Sequence, residues 1–473
     1  MKRNVFLLLI GIIFFVAGCT MIPEYNRPEA PVPAKWPSGP AYKQTPQSVP
    51  VVEELPWRQF FTDERLQTVI ASALQNNRDL RLAALHVERA RALYRIQRAE
   101  LLPTIDASGS GSRERKPAAL SNNESPKTTD LYRADLGISY WEIDFFGRIR
   151  SLEKSALEQY LATEQARRSA QILLISEVAN TYLTLAADRE NLQLAQSTLV
   201  NQQAAHHLIK RRFDTGLASE LDLRQVQAQV DAVRVSVALY TQLAAQAKNA
   251  LELLVGSSVP ADLLPEGLNS VMPLPDVSPG TTSEVLLSRP DILQAENLLK
   301  AANANIGAAR AAFFPRIALT TSVGTVSNDL SGLFDSGTGA WIYGAQIVMP
   351  IFDARTWPAL NASKVDKEIA VTQYERAIQG AFREVADALA QWGTIDDQMD
   401  AQQSLVDATS AAYRLANIRY TKGIDTYLNA LVAQRALFVS QQGLISTRLS
   451  KLANQVRLYE VLGGGGDSEV HKD

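Results

Sequence analysis

Cysteine is almost absent: Cys19 is the one cysteine in 473 residues, so neither a disulfide framework nor a cysteine metal site is available. Histidine is nearly as scarce. His86, the adjacent His206-His207 and His471 give no metal fork, because neighbours on a helix point about 100° apart. The five methionines, two of them before residue 22, form no metal-binding track. There is no Gly-Lys dipeptide, hence no phosphate-binding loop, and no Gly-x-Ser-x-Gly elbow to hold a nucleophile. The expectation is a chain that is not an enzyme and needs neither cofactor nor metal. Beyond residue 19 no run of 18 apolar residues occurs, so no spanning helix is expected, and a membrane role would have to use strands or lipid. The formal charge is only −3, and the mature chain is more acidic still, which is no footprint for nucleic acid.

What is present begins with an address. Lys2 and Arg3 precede an apolar run over 5–15, and the small residues Val16-Ala17-Gly18 stand directly before Cys19. That pattern is a secretory signal over 1–18. Residues 16–19 resemble a bacterial lipobox, which implies cleavage before Cys19 and acylation (palmitate) of its sulfur and its new amino group. An ordinary signal peptide with an incidental cysteine is the alternative. Thr20, where an aspartate would retain a lipoprotein, fits sorting to the outer membrane. Residues 19–63 then read as a lipid-anchored arm, extended by nine prolines from Pro23 to Pro56 that fix φ and remove amide donors.

From residue 64 one plan is written twice. Leu102-Pro103 answers to Phe314-Pro315, and Phe146 to Phe352. Arg212-Phe213-Asp214-Thr215-Gly216 answers to Arg419-Tyr420-Thr421-Lys422-Gly423, and Leu254-Val255-Gly256 to Val461-Leu462-Gly463. The offsets are 212, 206, 207 and 207 residues. The organisation expected is a first repeat over 64–256, a linker over 257–283, a second repeat over 284–462 and a disordered polar tail over 463–473. Each repeat reads helix, two strands, very long helix, turn, helix. No Gly or Pro interrupts 148–213, which as one helix is roughly 100 Å long. Val178, Leu185, Leu192 and Leu199 recur every seven positions as a coiled-coil seam. The partner helix, 359–420, carries Phe382, Val385, Leu389 and Trp392 at 3-4-3 spacing. Shorter helices are expected over 64–100, 220–254, 284–313 and 426–461. Helices this long suit a rod or tube rather than a compact domain.

Four short segments alternate in polarity. Tyr132, Ala134, Leu136, Ile138 and Tyr140 alternate with Arg133, Asp135, Gly137 and Ser139. Ile317, Leu319, Thr321 and Val323 form a second apolar row, and Trp341, Tyr343, Ala345, Ile347 and Met349 a third. The weakest segment, 105–113, is dominated by glycine and serine. Alternation over about ten residues with aromatics near the ends suits a membrane barrel wall, and equally a soluble half-buried sheet. If the strands lie in a membrane, four cannot close a barrel, and open edges in hydrocarbon leave amides unpaired. The chain must then oligomerise, as a dimer with eight strands or a trimer with twelve.

An ordered set of motifs adds a family. These are Trp57-Arg58-Gln59-Phe60-Phe61, Asn77-Arg78-Asp79-Leu80, Trp141-Glu142-Ile143-Asp144-Phe145-Phe146-Gly147-Arg148, Arg289-Pro290-Asp291-Ile292, Ala308-Ala309-Arg310-Ala311-Ala312-Phe313-Phe314-Pro315 and Leu330-Ser331-Gly332-Leu333-Phe334. Along essentially its whole length the chain resembles the TolC-like outer-membrane factors, in their lipidated OprM/NodT branch. The resemblance implies a mainly α chain with a membrane β-barrel: a homotrimer with a twelve-strand barrel in the outer membrane above a periplasmic tube of twelve helices. It implies a passive exit duct for small toxic compounds, working with a periplasmic membrane-fusion adaptor and an inner-membrane transporter of the resistance-nodulation-division (RND) type. The outlet of a type I secretion system and a non-spanning periplasmic scaffold are the competing functions.

The same resemblance puts a gate and a docking surface at the two helix-turn-helix tips. Asp222 matches an acidic constriction position, Leu428 an apolar one, and Tyr420 belongs to the same gate. A second family aspartate falls at Val432 here, with Asp425 as its candidate replacement. Thr215, Gly216, Leu217 and Ala218, with Lys422 and Gly423, are the expected adaptor-docking residues. The local chemistry also allows a plainer role. Gly216 and Gly423 are helix stops, Ser219 with Asp222 spells a capping box, and Asp425 or Thr426 could cap the helix that follows.

Overall fold

Glycine and proline punctuate this chain, and its elements follow them. The computed structural model of the chain describes residues 20–43, 55–120, 125–280 and 282–464. The signal segment, the lipobox with Cys19 and the tail from residue 465 lie outside these. The chain divides into two compact units. One comprises the described part of Met1–Glu29 with His86–Thr163 and Gln294–Tyr374, and the other Ala30–Leu85, Glu164–Leu293 and the described part of Glu375–Asp473.

The first unit holds a single antiparallel sheet in the order β1-β2-β3-β4: β1 (Asp106–Lys116), β2 (Lys127–Ile143), β3 (Arg316–Ser327) and β4 (Gly339–Val348). The segment that reads weakest, β1, pairs with β2 along its full length, from Asp106 opposite Gly137 to Lys116 opposite Lys127. Leu136, Val323 and Trp341 lie in one cross-strand row, and Ile138, Thr321 and Tyr343 in the next. Trp341, Tyr343 and Ile347 are exposed, at 80%, 66% and 68%. One expectation fails. Between Ile138 and Trp141 the β2–β3 register slips by a residue, so strict alternation breaks there. A bulge of one residue moves every later side chain to the other face. Tyr140 therefore leaves the apolar face, and Trp141 and Ile143 join it opposite Leu319 and Ile317. Gly137 and Gly324 face the neighbouring strand with no room for a side chain. A Cβ on Gly137 would strike the Thr321 carbonyl, and one on Gly324 the Ala134 carbonyl.

The arm that follows residue 19 packs within this unit against α5 (Pro290–Ala311). Arg310 donates to the Met21 carbonyl, Asn303 to the Pro23 carbonyl, and Ile22 closes over Gly307, leaving no room for a Cβ. Glu296, with its side chain 3% exposed, accepts from Tyr25 at 3.1 Å and from Arg27 at 2.6 Å, and pairs with Lys300 at 3.1 Å. Burial pushes the Glu296 carboxyl up, but the Arg27 and Lys300 bonds more than offset it and hold the carboxyl below its usual value.

Besides a four-residue helical turn, Trp57–Phe60, the helices are α1 (Glu64–Asn76), α2 (Arg78–Ala99), α3 (Arg148–Asp214), α4 (Glu220–Val255), α5, α6 (Thr356–Thr421) and α7 (Tyr427–Val461). Three expected boundaries move. The run 64–100 splits at Asn77, which turns extended, donates to the Leu254 carbonyl and accepts from the Leu80 amide to start a new helix. The run 284–313 becomes a 3-10 turn, Ser283–Ser288, followed by α5, whose first residue Pro290 has no amide to lose. Helix α6 begins before Pro358, since a proline in the first turn breaks no helical bond.

In the second unit the seam of α3 is shorter than its heptads. Val178 and Leu185 are buried, but Leu192 and Leu199 are partly exposed, and Ala195, Gln202 and Ile209 take over. Residues 263–268 lie along the earlier part of this helix, where Tyr182 donates to Leu263, Arg189 to Pro265, and Glu190 accepts from the Leu268 amide, whereas Ile209 is buried against Val226, Tyr427 and Leu431. An 18-residue stretch of α3 reaches a mean hydropathy of 1.2, but 61% of it is buried, as befits a core helix. On α6, Val385 and Leu389 are buried, whereas Phe382 and Trp392 are half-buried, with Phe382 stacked on Trp36 at 5.4 Å. Phe60 stacks on Tyr459 at 4.1 Å, and Tyr459 donates to the Leu55 carbonyl.

Two predictions come from this unit pair. Gly137→Val should destabilise the sheet by roughly 1–3 kcal/mol through overpacking, seen as a lower thermal transition by circular dichroism. An unchanged transition would mean that the strands can part there. For the arm, a carboxyl depressed in the folded state contributes stability above its unfolded value, and loses it as pH falls through the folded value. Protection of the arm from limited proteolysis should thus hold from neutrality down to about pH 5 and fail only in stronger acid. Release already at pH 6 would remove Glu296 as the hold.

Candidate functional site

Two helix ends in the second unit are built alike. At the end of α3 the Gly216 amide donates to Phe213 at 2.8 Å and the Leu217 amide to Arg212 at 2.7 Å. At the end of α6 the Gly423 amide donates to Tyr420 and the Ile424 amide to Arg419, both at 2.9 Å. Each is a Schellman turn, which needs a left-handed residue at its bend. Gly216 has φ +75° and Gly423 φ +71°, and the space around both is open. The apolar residue after the glycine usually folds back onto its helix. Here Leu217 and Ile424 point outward instead, 71% and 58% exposed.

The helices that follow start differently. Ser219 caps α4: its hydroxyl accepts from the Asp222 amide at 3.1 Å, while the Asp222 carboxylate accepts from the Ser219 amide at 3.1 Å and from its hydroxyl at 2.7 Å. Thr426 is the N-cap of α7 but makes no side-chain cap bond. Asp425 does not cap either. Its carboxylate accepts from Arg419, which holds it below the usual carboxylate range.

Ile209, Val226, Tyr427, Ala430 and Leu431 form the core between the two tips, with Ala218 and Tyr420 packed on it. Arg212 donates to the Tyr420 hydroxyl at 2.8 Å, and the Tyr420 ring meets that of Tyr427 edge-on at 5.0 Å. Burial pushes the Tyr427 phenol up to about 12. Tyr420 is therefore a brace inside the tip. Leu428 and Val432, one turn apart, are exposed at 44% and 59%. Thr215, Gly216, Leu217, Lys422 and Gly423 are exposed as well, with Ala218 half-buried. Asp222 and Asp425 thus belong to separate networks, one with Ser219 and one with Arg419. Sequence reasoning missed the role of Arg212 and Arg419, although they stand at matching positions of the two repeats. Among the described residues no group of three or more His, Cys, Asp or Glu could hold a metal, and the His206 and His207 rings sit edge to face at 6.1 Å.

The family model for outer membrane efflux proteins matches residues 69–257 and again 281–464. The chain belongs to this family. It is 49% identical to the antibiotic efflux pump outer membrane protein ArpC and to the toluene efflux pump outer membrane protein TtgC, both of Pseudomonas putida, over 96% of this chain and 94% of each relative. The open state of the MtrE outer membrane channel of Neisseria gonorrhoeae is similar in structure, with TM-score 0.84 and 36% identity over 94% of this chain and 98% of that one. The chain is thus an outer-membrane protein of channel fold, its helices forming a periplasmic extension and its four strands a share of the barrel.

Valine at Gly216 should strain a left-handed site by roughly 1–3 kcal/mol, whereas asparagine should be tolerated better. Hydrogen exchange at the Leu217 amide reads this, about tenfold faster per 1.4 kcal/mol lost. Equal exchange in wild type and Gly216→Val would show that the turn bears no strain.

Proposed function

We propose that three copies of this chain close one twelve-strand barrel and one twelve-helix tube, forming the passive exit duct of a tripartite efflux pump. The observation that carries this reading is the sheet with two unpaired outer edges, β1 and β4, and an exposed apolar row through Trp341, Tyr343 and Ile347. In hydrocarbon each unpaired amide costs several kcal/mol, so the edges must meet those of other copies. An eight-strand barrel is filled by its own side chains, so a duct favours the trimer over the dimer. Cys19 would carry the acyl anchor. A membrane-fusion adaptor would dock on Thr215, Gly216, Leu217, Ala218, Lys422 and Gly423, with an RND-type transporter in the inner membrane. The cargo is a class of small toxic molecules, antibiotics or solvents by analogy with the named relatives. Likeness along 96% of the chain to relatives named as antibiotic and toluene efflux proteins favours this reading over a secretion outlet.

At the tip, Asp222 supplies the acidic ring and Leu428 with Val432 the apolar constriction, which favours dewetting. Asp425 is answered locally by Arg419, whereas Asp222 forms no ion pair among the described residues. Two carboxylates ~6 Å apart repel by roughly 3 kcal/mol at an effective dielectric near 20, enough to draw in cations.

Planar-bilayer conductance with divalent cation on the periplasmic side tests this. Small, cation-selective, blockable openings are expected, and Asp222→Ala should weaken the block. Because Asp222 also serves the cap, Ser219→Ala is the control, losing the cap at about 1 kcal/mol while keeping the charge and the block. Equal loss of block in both variants would reduce Asp222 to a helix cap. Absence of conductance in the wild type, with protein extracted as a monomer, would restore the scaffold.

A further inference from the structure

The outward face of the β1–β2 hairpin changes character in a fixed order. Both strands join the helices at their other ends, α2 leading into β1 and β2 leading into α3, so the turn between Lys116 and Lys127 is the end remote from the periplasmic helices. Along the face that carries Leu136, Val323 and Trp341, the rows toward that turn are Ala107 with Leu136, Gly109 with Ala134, Gly111 with Tyr132, Arg113 with Asp130, and Arg115 with Thr128. No register slip interrupts β1 against β2, so these residues all share one face. The order is apolar, then aromatic, then the Arg113–Asp130 ion pair, then Arg115 beside Thr128. Beside Gly111, the ring of Tyr132 fills the space a Cβ would need.

At about 3.4 Å per residue, Arg113 lies about 7 Å past the Tyr132 row and Arg115 about 14 Å past it. An aromatic residue marks the edge of the hydrocarbon in a membrane barrel, so the Arg113 guanidinium falls in the headgroup layer of the outer leaflet and that of Arg115 at the layer's outer side. Arg113 is 77% exposed in its side chain even while it meets Asp130 at 3.2 Å, and Arg115 is exposed. The opposite face of the same hairpin carries Glu114 beside Lys116, with Lys127 directly across from Lys116. Basic charge therefore stands on both faces, but only the outward face meets lipid.

We propose that Arg113 and Arg115 form a binding site for the phosphate groups of the phosphorylated glycolipid in the outer leaflet. The planar guanidinium fork bonds phosphate oxygens two at a time, where a lysine offers a point charge. Tyr132 below them supplies an amphipathic ring for the glycolipid's acyl boundary. The site rests on the barrel reading and adds to it the headgroup chemistry that the barrel's outer rim selects.

The test is a binding titration of purified, detergent-solubilised protein with bisphosphorylated lipid A, its dephosphorylated counterpart, and inorganic phosphate. Bisphosphorylated lipid A should bind and raise the thermal transition, and the other two should do neither. Arg113→Ser with Arg115→Ser should weaken binding about thirtyfold, the loss expected of two cations at a membrane surface. Lys116→Ser with Lys127→Ser removes the same charge from the inward face and should leave binding intact. Equal loss in both double variants would reduce the effect to net charge. Equal binding of the dephosphorylated lipid, or equal stabilisation by inorganic phosphate, would overturn the site. Conductance of the same preparations is read in parallel, so failure of the barrel reading itself would appear as silent wild-type protein.

Discussion

A backbone amide in hydrocarbon must find a partner, and this chain alone does not supply enough of them. Four strands in the order β1-β2-β3-β4 leave the outer sides of β1 and β4 open. Such edges are hazards in water and unaffordable in lipid. The two edges are unlike: β1 is a polar glycine-serine strand, and β4 carries Trp341, Tyr343 and Ile347. An edge that met its own kind would place like against like, whereas β1 against β4 of another copy makes a head-to-tail contact that closes into a ring. The sheet's incompleteness thus prescribes both oligomerisation and its symmetry.

Duplication supplied the rest of the plan, and the tips show where the copies parted. The backbone solution is the same in both: a left-handed glycine, a Schellman turn and an outward-pointing apolar residue. The side chains differ. In the first tip the acid is spent on a cap with Ser219, and in the second on Arg419. A symmetric backbone thus carries asymmetric charge, and the ring proposed for Asp222 needs no counterpart at Asp425.

Much of this was legible in the chain itself. The long helices α3 and α6 could be read because propensity is uninterrupted, and the Schellman glycines because only φ > 0 makes a glycine necessary there. The capping box was equally plain, since Ser219 and Asp222 stand three apart. What stayed hidden depends on other segments. The bulge after Ile138 shows no mark in β2 and exists only against β3, so alternation placed Tyr140 on the wrong face. The split at Asn77 follows from its bond to Leu254, far along the chain. Past Leu185 the buried stripe of α3 leaves the heptads, and at its end it is set by residues of other helices, Ile209 packing against Val226, Tyr427 and Leu431. Arg212 with Tyr420 and Arg419 with Asp425 were missed for the same reason: local patterns name the residues but not their partners.

The arm shows what a buried charge is for. Replacing Glu296, Arg27 and Lys300 with apolar residues of similar volume would typically cost no stability, since ion pairs of this kind scarcely outweigh their desolvation. What apolar residues would not supply is register. An extended, proline-rich segment has no side-chain periodicity of its own to fix its position on a helix, and it could slide by a residue with little change in buried area. Two donors of the arm, Tyr25 and Arg27, converging on one helix carboxylate, together with the contact of Ile22 over Gly307, allow one alignment. That alignment sets where residue 20 stands, with Met21 beside Arg310 at the end of α5, five residues before β3 begins.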